Sequence, residues 1–279
     1  MNIIVSSALA ALLLTAATPA LAQEDASAWS PGLHARARLI AASPAPDGHW
    51  RAGIEIKLDP GFKTYWRSPG SSGVPPSFDF SGSHNLKAVA VRYPAPIGFP
   101  DGIGTSIGYT QAVVLPLSVT PADPARPVTL ALKLDYAVCD KLCIPVQAEA
   151  HLTLSGTAAS TPNDALLAGF ERQVPQKQPL DAPDTPSIIA LQPEGGETFT
   201  VTARVPADGN AALFAEGGPG WYYETGALTR SGDTGRFALR LVEKPEDKAV
   251  KDGFVTLTLA TPAGAIETHV ALDAAQQKP

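Results

Sequence analysis

The chain has 279 residues, and its 21 basic and 27 acidic side chains are interspersed and give a formal net charge of −6. This balance excludes a nucleic-acid-binding protein, because phosphate binding requires a basic stripe. The 27 prolines and 24 glycines are scattered along the chain, which is typical of β-rich proteins with many turns.

Residues 1–22 have the pattern of a secretory signal peptide. The apolar run from Ala8 to Ala17 has the length of an h-region, and Ala20-Leu21-Ala22 is a cleavage motif of the A-x-A type. An uncleaved N-terminal anchor is the alternative, but the run is shorter than the roughly 20 apolar residues that a membrane span needs. We therefore expect an exported, soluble, periplasmic protein with no stable membrane insertion after cleavage.

Strict alternation of apolar and polar residues predicts antiparallel β-strands from about residue 30 to 156. One-sided alternation of this kind places one face of each sheet on a core. Several such strands at short spacing predict an immunoglobulin-like sandwich. The apolar faces of the clearest strands are Ile54, Ile56 and Leu58; Val128, Leu130, Leu132, Leu134 and Tyr136; and Val146, Ala148, Ala150, Leu152 and Leu154.

The sequence changes character over residues 157–187. Thr161-Pro162 predicts a helix N-cap followed by proline at the first helical position. The four prolines between Val174 and Ser187 indicate a linker. Alternation resumes over residues 188–273 and predicts a second, smaller β-sandwich. The predicted fold is therefore all-β, with two immunoglobulin-like antiparallel sandwiches joined by a short helix and a Pro-rich linker.

Cys139 and Cys143 are the only two cysteines of the chain. A bridge between them closes a loop of about five residues and stabilises the fold by only about 2 kcal/mol in the chain-entropy model. Extended chain would place them about 13 Å apart, so residues 140–142 must turn tightly to reach disulfide geometry. A bridge in a short exposed loop is reducible. The residues alone therefore leave a structural brace and a redox couple equally open.

The remaining chemistry of the chain is sparse. The cysteine spacing is not C-x-x-C, so a thioredoxin fold is not expected. His34, His84 and His151 do not lie at zinc-ligand spacing from the cysteines, so we predict no metal site and no cofactor.

Three groups of residues together resemble a known family. They are Gly61-Phe62-Lys63-Thr64-Tyr65-Trp66-Arg67-Ser68-Pro69-Gly70-Ser71-Ser72-Gly73-Val74-Pro75-Pro76, then Tyr93-Pro94-Ala95-Pro96 with Phe99-Pro100-Asp101-Gly102, and Tyr136-Ala137-Val138-Cys139-Asp140-Lys141-Leu142-Cys143-Ile144-Pro145. This set resembles the N-terminal periplasmic domain of thiol:disulfide interchange proteins of the DsbD type. It is more similar still to the version found in copper-sensitivity suppressor reductases and in stand-alone exported proteins. The resemblance covers residues 30–156.

The resemblance implies an immunoglobulin-like sandwich whose cysteine pair shuttles between dithiol and disulfide. Cys139 and Cys143 match the redox pair of the family, with Cys143 as the residue that enters the mixed disulfide. The family receives electrons from a thioredoxin-like domain fed by a membrane domain, and passes them to periplasmic proteins that contain disulfides. We expect this chain to need a separate membrane-bound thiol-disulfide reductase or thioredoxin-like partner, because it contains neither domain. Its three-residue spacer between the cysteines is also shorter than in the best-known member.

Four aromatic and basic residues are weaker candidates for partner binding. Tyr65, Trp66 and Arg67 precede a loop rich in proline and glycine, and Tyr136 lies just before the first cysteine. They form either a docking surface or shield beside the cysteines, or ordinary packing in which Trp66 lies under the loop.

Two functions fit these residues. The first is a periplasmic thiol-disulfide oxidoreductase of the protein-disulfide reductase type. The alternative is a non-enzymatic binding or assembly module, in metal resistance or cytochrome maturation, in which the disulfide is a local brace.

Overall fold

The computed structural model describes residues 25–70, 72–100, 104–155, 161–207 and 209–275. The predicted signal peptide lies outside the described residues. The described part of the chain is almost entirely β-structure arranged in antiparallel sheets, which confirms the predicted fold class. Its buried apolar residues form two large cores, one in each half of the chain.

The first module consists of two sheets packed face to face. Its strands are β1 (Ser30–Gly32), β2 (Ala35–Ala41), β3 (Trp50–Leu58), β4 (Lys63–Gly70), β5 (Ser77–Asp79), β6 (Leu86–Val91), β7 (Ile97–Pro100), β8 (Thr105–Thr110), β9 (Ala112–Pro121), β10 (Val128–Cys139) and β11 (Cys143–Leu154). One sheet has the order β1-β2-β3-β9-β6. The other has the order β11-β10-β4-β8-β7, with β5 also pairing with β10.

Strands β10 and β11 form the longest hairpin of this module. Their register runs from Val128 opposite Leu154 to Cys139 opposite Cys143. Every apolar position predicted for these two strands is buried, while Lys133 and Asp135 on the other face, and their partners Glu149 and Gln147, are exposed. Alternation therefore predicted both the strands and the face that packs on the core.

A single helix of two turns, α1 (Asp164–Glu171), follows the first module. It begins at Asp164 rather than at Pro162, so the predicted start of the helix was wrong by two residues. The Asp164 carboxylate accepts hydrogen bonds from the Thr161 N–H at 2.9 Å and from the Ser43 N–H at 2.8 Å. These bonds hold Thr161 and Pro162 in a turn before the helix and tie the helix to the first module.

The second module is also a two-sheet sandwich. Its elements are β12 (Gln176–Lys177), β13 (Ser187–Gly195), β14 (Thr198–Arg204), β15 (Ala212–Glu216), β16 (Tyr222–Thr225), β17 (Thr229–Ser231), β18 (Thr234–Glu243), a 3-10 turn (Val250–Asp252), β19 (Phe254–Thr261), β20 (Gly264–Ala271) and α2 (Leu272–Ala275). The sheets have the orders β12-β20-β19-β15 and β13-β14-β18-β16, with β17 beside β18. Strand β12, within the stretch predicted as linker, pairs in parallel with β20.

The two modules contact each other through side chains of β4 and β15. Phe214 of β15 packs with the core of the first module, and its ring lies 6.0 Å from the ring of Trp66. No helix within the described ranges is both long enough and apolar enough to cross a membrane.

Close contact between β4 and β8 requires a glycine at position 108. A Cβ atom on Gly108 would lie 2.0 Å from the Thr64 carbonyl oxygen and 2.9 Å from the Tyr65 Cα. We predict that Gly108→Ala lowers the free energy of unfolding by about 1–3 kcal/mol, because the backbone must shift to accept the methyl group. Urea denaturation measures this change.

Gly169→Ala is the matched control. Gly169 lies in α1 with open space around its Cα, so alanine there should stabilise the protein by about 0.5–1 kcal/mol through helix propensity. Equal denaturation midpoints for Gly108→Ala and the wild type would contradict the close approach of the two strands.

Candidate functional site

The cysteine pair closes the tip of the β10–β11 hairpin. Cys139 is the last residue of β10 and Cys143 is the first residue of β11, and the two are direct cross-strand partners. They form a disulfide, with their Cα atoms 4.2 Å apart. The tight turn that the sequence predicted over residues 140–142 is therefore present.

The two sulfurs lie in different environments. Cys139 is 5 % exposed and packs in a small cluster with Tyr65 and Ala137. Cys143 is exposed, and its neighbour Leu142 at the hairpin tip is 79 % exposed. An external thiolate therefore reaches the sulfur of Cys143, whereas that of Cys139 is shielded by protein.

The buried Tyr65 hydroxyl contacts both sulfurs, at 2.9 Å from Cys139 Sγ and 3.0 Å from Cys143 Sγ. A disulfide carries no S–H group, so the hydroxyl is the donor. Strand β4 brings Tyr65 to this position because Thr64 pairs with Val138 and its side chain donates to the Ala137 carbonyl at 2.9 Å. The donor is therefore held on the strand next to Cys139.

A cleft of about 670 Å³ lies beside the exposed sulfur. Cys143 lines it, together with Val74 and Pro75 from the loop after β4 and Pro145 from β11. Val74 is 52 % exposed, and Pro75 and Pro145 are exposed as well. The cleft thus offers an apolar surface directly next to the sulfur that solvent reaches.

Tyr136 also lines this cleft, but its side chain belongs to the core of the first module. Only 3 % of the residue is exposed, and burial raises the pKa of its hydroxyl to about 12. The hydroxyl has no hydrogen-bond partner among the described residues. Tyr136 is therefore a neutral buried phenol at physiological pH.

Trp66 and Arg67, the other two weak candidates, face the second module. Trp66 is fully buried. The Arg67 Nε donates to both carboxylate oxygens of Glu216 at 3.0 Å, and its guanidinium also donates to Glu267. Burial alone would lower the pKa of Arg67, but the hydrogen bonds and charges of the two carboxylates outweigh it and raise that pKa. The structure thus brings Tyr65 to the cysteine pair, whereas Trp66 and Arg67 contact the second module.

Sequence reasoning missed the partners of Arg67 and the exposed apolar side chain of Leu142 at the hairpin tip. Glu216 and Glu267 lie 149 and 200 positions from Arg67, so no local pattern connects them. Leu142 had a usable signal, because it is an apolar residue in a short loop between two strands. Within the described ranges, no group of three or more His, Cys, Asp or Glu side chains could hold a metal ion.

The comparisons with known proteins match the module that contains this hairpin. Residues 35–155, which hold β2 to β11, match the family model described as "Thiol:disulfide interchange protein DsbD, N-terminal". The first module is therefore similar in sequence to the DsbD N-terminal family. This confirms the resemblance seen in the sequence, and we refer to residues 35–155 as the DsbD-type module.

A solved structure extends the likeness beyond the DsbD-type module. The chain is similar to the N-terminal periplasmic domain of ScsB from Proteus mirabilis, with a TM-score of 0.67 and 20 % sequence identity. The match covers 88 % of this chain and 97 % of that chain, so the shared fold includes the second module. A comparison with curated proteins found no match.

The Tyr65 hydroxyl should make the cysteine pair easier to reduce. A hydrogen bond stabilises a thiolate more than a neutral disulfide sulfur, so its loss favours the oxidised state. We predict that Tyr65→Phe changes the equilibrium constant with glutathione by about tenfold, which corresponds to a reduction potential ~30 mV more negative. Alkylation of free thiols after equilibration in glutathione buffers measures this shift.

Tyr223→Phe is the matched control. It removes a hydroxyl that donates to the Phe254 carbonyl at 3.0 Å in the second module. Its reduction potential should equal that of the wild type. If Tyr65→Phe also left the potential unchanged, the hydroxyl would not discriminate between the two redox states.

Proposed function

We propose that this protein is a periplasmic thiol-disulfide exchange protein. It relays reducing equivalents from a membrane-bound thiol-disulfide reductase or its thioredoxin-like domain to periplasmic proteins that contain disulfides. The observation that carries the proposal is the asymmetric disulfide at the hairpin tip, with Cys143 exposed, Cys139 buried and one tyrosine hydroxyl within hydrogen-bond distance of both sulfurs. The match of the DsbD-type module to this family model supports it.

The oxidised protein accepts two electrons in two displacement steps. A thiolate of the donor attacks Cys143 Sγ, the Cys139–Cys143 bond breaks, and Cys139 leaves as a thiolate. The Tyr65 hydroxyl donates to this leaving sulfur. The second cysteine of the donor then attacks the sulfur of the donor's first cysteine in the mixed disulfide. This step releases Cys143 as a thiolate and oxidises the donor to its disulfide.

The reduced protein passes the electrons on by the same chemistry in reverse. The Cys143 thiolate attacks a disulfide of the substrate and forms a mixed disulfide, while the other substrate sulfur leaves as a thiolate. The Cys139 thiolate then attacks Cys143 Sγ, closes the intramolecular disulfide and releases the reduced substrate. Each cycle transfers two electrons and leaves the protein oxidised.

The surface around Cys143 is suited to a protein partner. Leu142 precedes Cys143 at the hairpin tip and Val74 lines the cleft beside Cys143, and both are large exposed apolar side chains. An apolar rim of this kind excludes water from the sulfurs when a complementary surface covers it. We infer that the reductase and the substrates use this rim in turn.

The reduction potential of the Cys139–Cys143 pair tests the proposed function. For an exchange protein we expect a value between about −180 and −270 mV, measured by equilibration in glutathione or dithiothreitol buffers. A value below about −300 mV is typical of a structural bridge. That result would refute the exchange function and favour a binding module in which the disulfide is a brace.

The two cysteines should differ in reactivity when each is studied alone. In Cys139→Ser the remaining thiol is exposed, whereas in Cys143→Ser it is buried beside Tyr65. We predict that the Cys143 thiol reacts with an aromatic disulfide reagent about tenfold faster or more, because access controls the rate of exchange. The released aromatic thiolate is followed by its absorbance.

The two variants are matched, since each removes one sulfur of the same bridge. Circular dichroism should show the same fold for both. Equal reaction rates, or a faster reaction of Cys139, would contradict the assignment of Cys143 as the residue that enters the mixed disulfide.

A further inference from the structure

The pairing of β4 with β8 is interrupted directly after Tyr65. Cα partners run from Lys63 opposite Thr110 to Tyr65 opposite Gly108, and the next pair is Gly70 opposite Ser106. Because the register shifts between these two points, the ladder does not hold residues 66–69 in place. Arg67 lies within this stretch, two residues from the tyrosine that contacts the disulfide.

Side chains of the second module hold Arg67 instead. Glu216 of β15 and Glu267 of β20 both accept hydrogen bonds from its guanidinium, and the Arg67 side chain is only 31 % exposed. The guanidinium also lies over the rings of Trp66, at 4.7 Å, and Tyr93, at 5.7 Å. We refer to Arg67, Glu216 and Glu267 as the Arg67 clamp.

The clamp is specific for arginine and for two carboxylates. A planar guanidinium can bridge two acidic side chains with separate N–H groups, which a lysine ammonium does with less geometric control. Glu216 and Glu267 are each 17 % exposed at the side chain. Two carboxylates this sheltered from solvent need the Arg67 guanidinium between them to neutralise their charge. The sheet of the second module that contains β15 and β20 is therefore fixed relative to β4 at this point.

Close packing links the clamp to Tyr65. The loop after β4 folds back so that a Cβ atom on Gly73 would lie 2.7 Å from the Tyr65 ring and 2.3 Å from Pro69 Cβ. Gly73 therefore lies directly against the Tyr65 ring and against Pro69, so the loop that follows Arg67 packs on the tyrosine. Release of the clamp would free the backbone from Trp66 to Pro69, directly after Tyr65, because the β4–β8 ladder does not hold it there.

We propose that Arg67 is a positioning residue of the cysteine pair, and that Glu216 and Glu267 of the second module fix it there. The second module thereby helps to set the redox equilibrium of a disulfide that belongs to the DsbD-type module. This inference rests on the proposed exchange function, in which the Tyr65 hydroxyl stabilises the thiolate form.

The test is the double variant Glu216→Gln/Glu267→Gln, with Glu224→Gln as the control. Glu224 also pairs with an arginine, Arg240, but on the exposed surface of the second module. The equilibrium constant with glutathione should change about fivefold to tenfold in the double variant, in the same direction as in Tyr65→Phe, and a tenfold change corresponds to ~30 mV. Glu224→Gln should match the wild type.

A positioning role also predicts non-additive effects. Adding Tyr65→Phe to the double variant should produce little further change in the equilibrium constant. In the double variant the Tyr65 hydroxyl has already lost its contact with the sulfurs, so its removal has no further effect. Arg67→Lys keeps the charge but not the planar fork, so it should give an intermediate shift and serves as a milder variant if the double variant folds poorly. Circular dichroism and thermal unfolding establish that each measured protein is folded.

The outcomes separate this inference from the proposed function. A wild-type pair as resistant to reduction as a structural bridge would refute the exchange function itself. The role of Arg67 alone would be overturned by a different result. In that case the reduction potential of the wild-type pair would lie in the range of exchange proteins, and the folded clamp variants would have the same equilibrium constant with glutathione as the wild type. Fully additive effects of Tyr65→Phe and the clamp variants would overturn it as well.

Discussion

The register between β10 and β11 is the constraint on which the site depends. Twelve consecutive cross-strand pairs run from Val128–Leu154 to Cys139–Cys143, and one face of this hairpin is buried from Val128–Leu154 to Tyr136–Val146. A slip of one residue would turn every core side chain of one strand to solvent, so the hydrophobic effect fixes the register strongly. The same register places the two cysteines opposite each other at the hairpin tip. Core packing far from the disulfide thus determines its geometry.

The end of the hairpin also gives the two sulfurs different roles. Strand β10 runs beside β4, so Cys139 lies under the side chains of its neighbour, whereas β11 is the edge of the sheet and leaves Cys143 open. The hydroxyl of Tyr65 on β4 lies within hydrogen-bond distance of both sulfurs.

The second module contributes to the first at the strand that carries this donor. Phe214 packs against Trp66, and Glu216 and Glu267 bind Arg67, so three positions of the second module contact two consecutive residues of β4. These contacts fall where the β4–β8 ladder is interrupted. The fold shared with a solved structure covers 88 % of the chain and so includes both modules.

The sequence by itself determined the all-β class, the faces of the long strands and the tight turn at residues 140–142, because alternation and loop length are local properties. It also carried the family motifs around Cys139 and Cys143. Only the tertiary structure decided which sulfur is exposed, that Tyr65 reaches both sulfurs, and that Arg67 faces the second module. The start of α1 likewise depended on the contact between Asp164 and Ser43, 121 positions apart. Each of these features arises from contacts between distant segments, and hydrophobic patterning specifies which face is buried but not which residue lies against it.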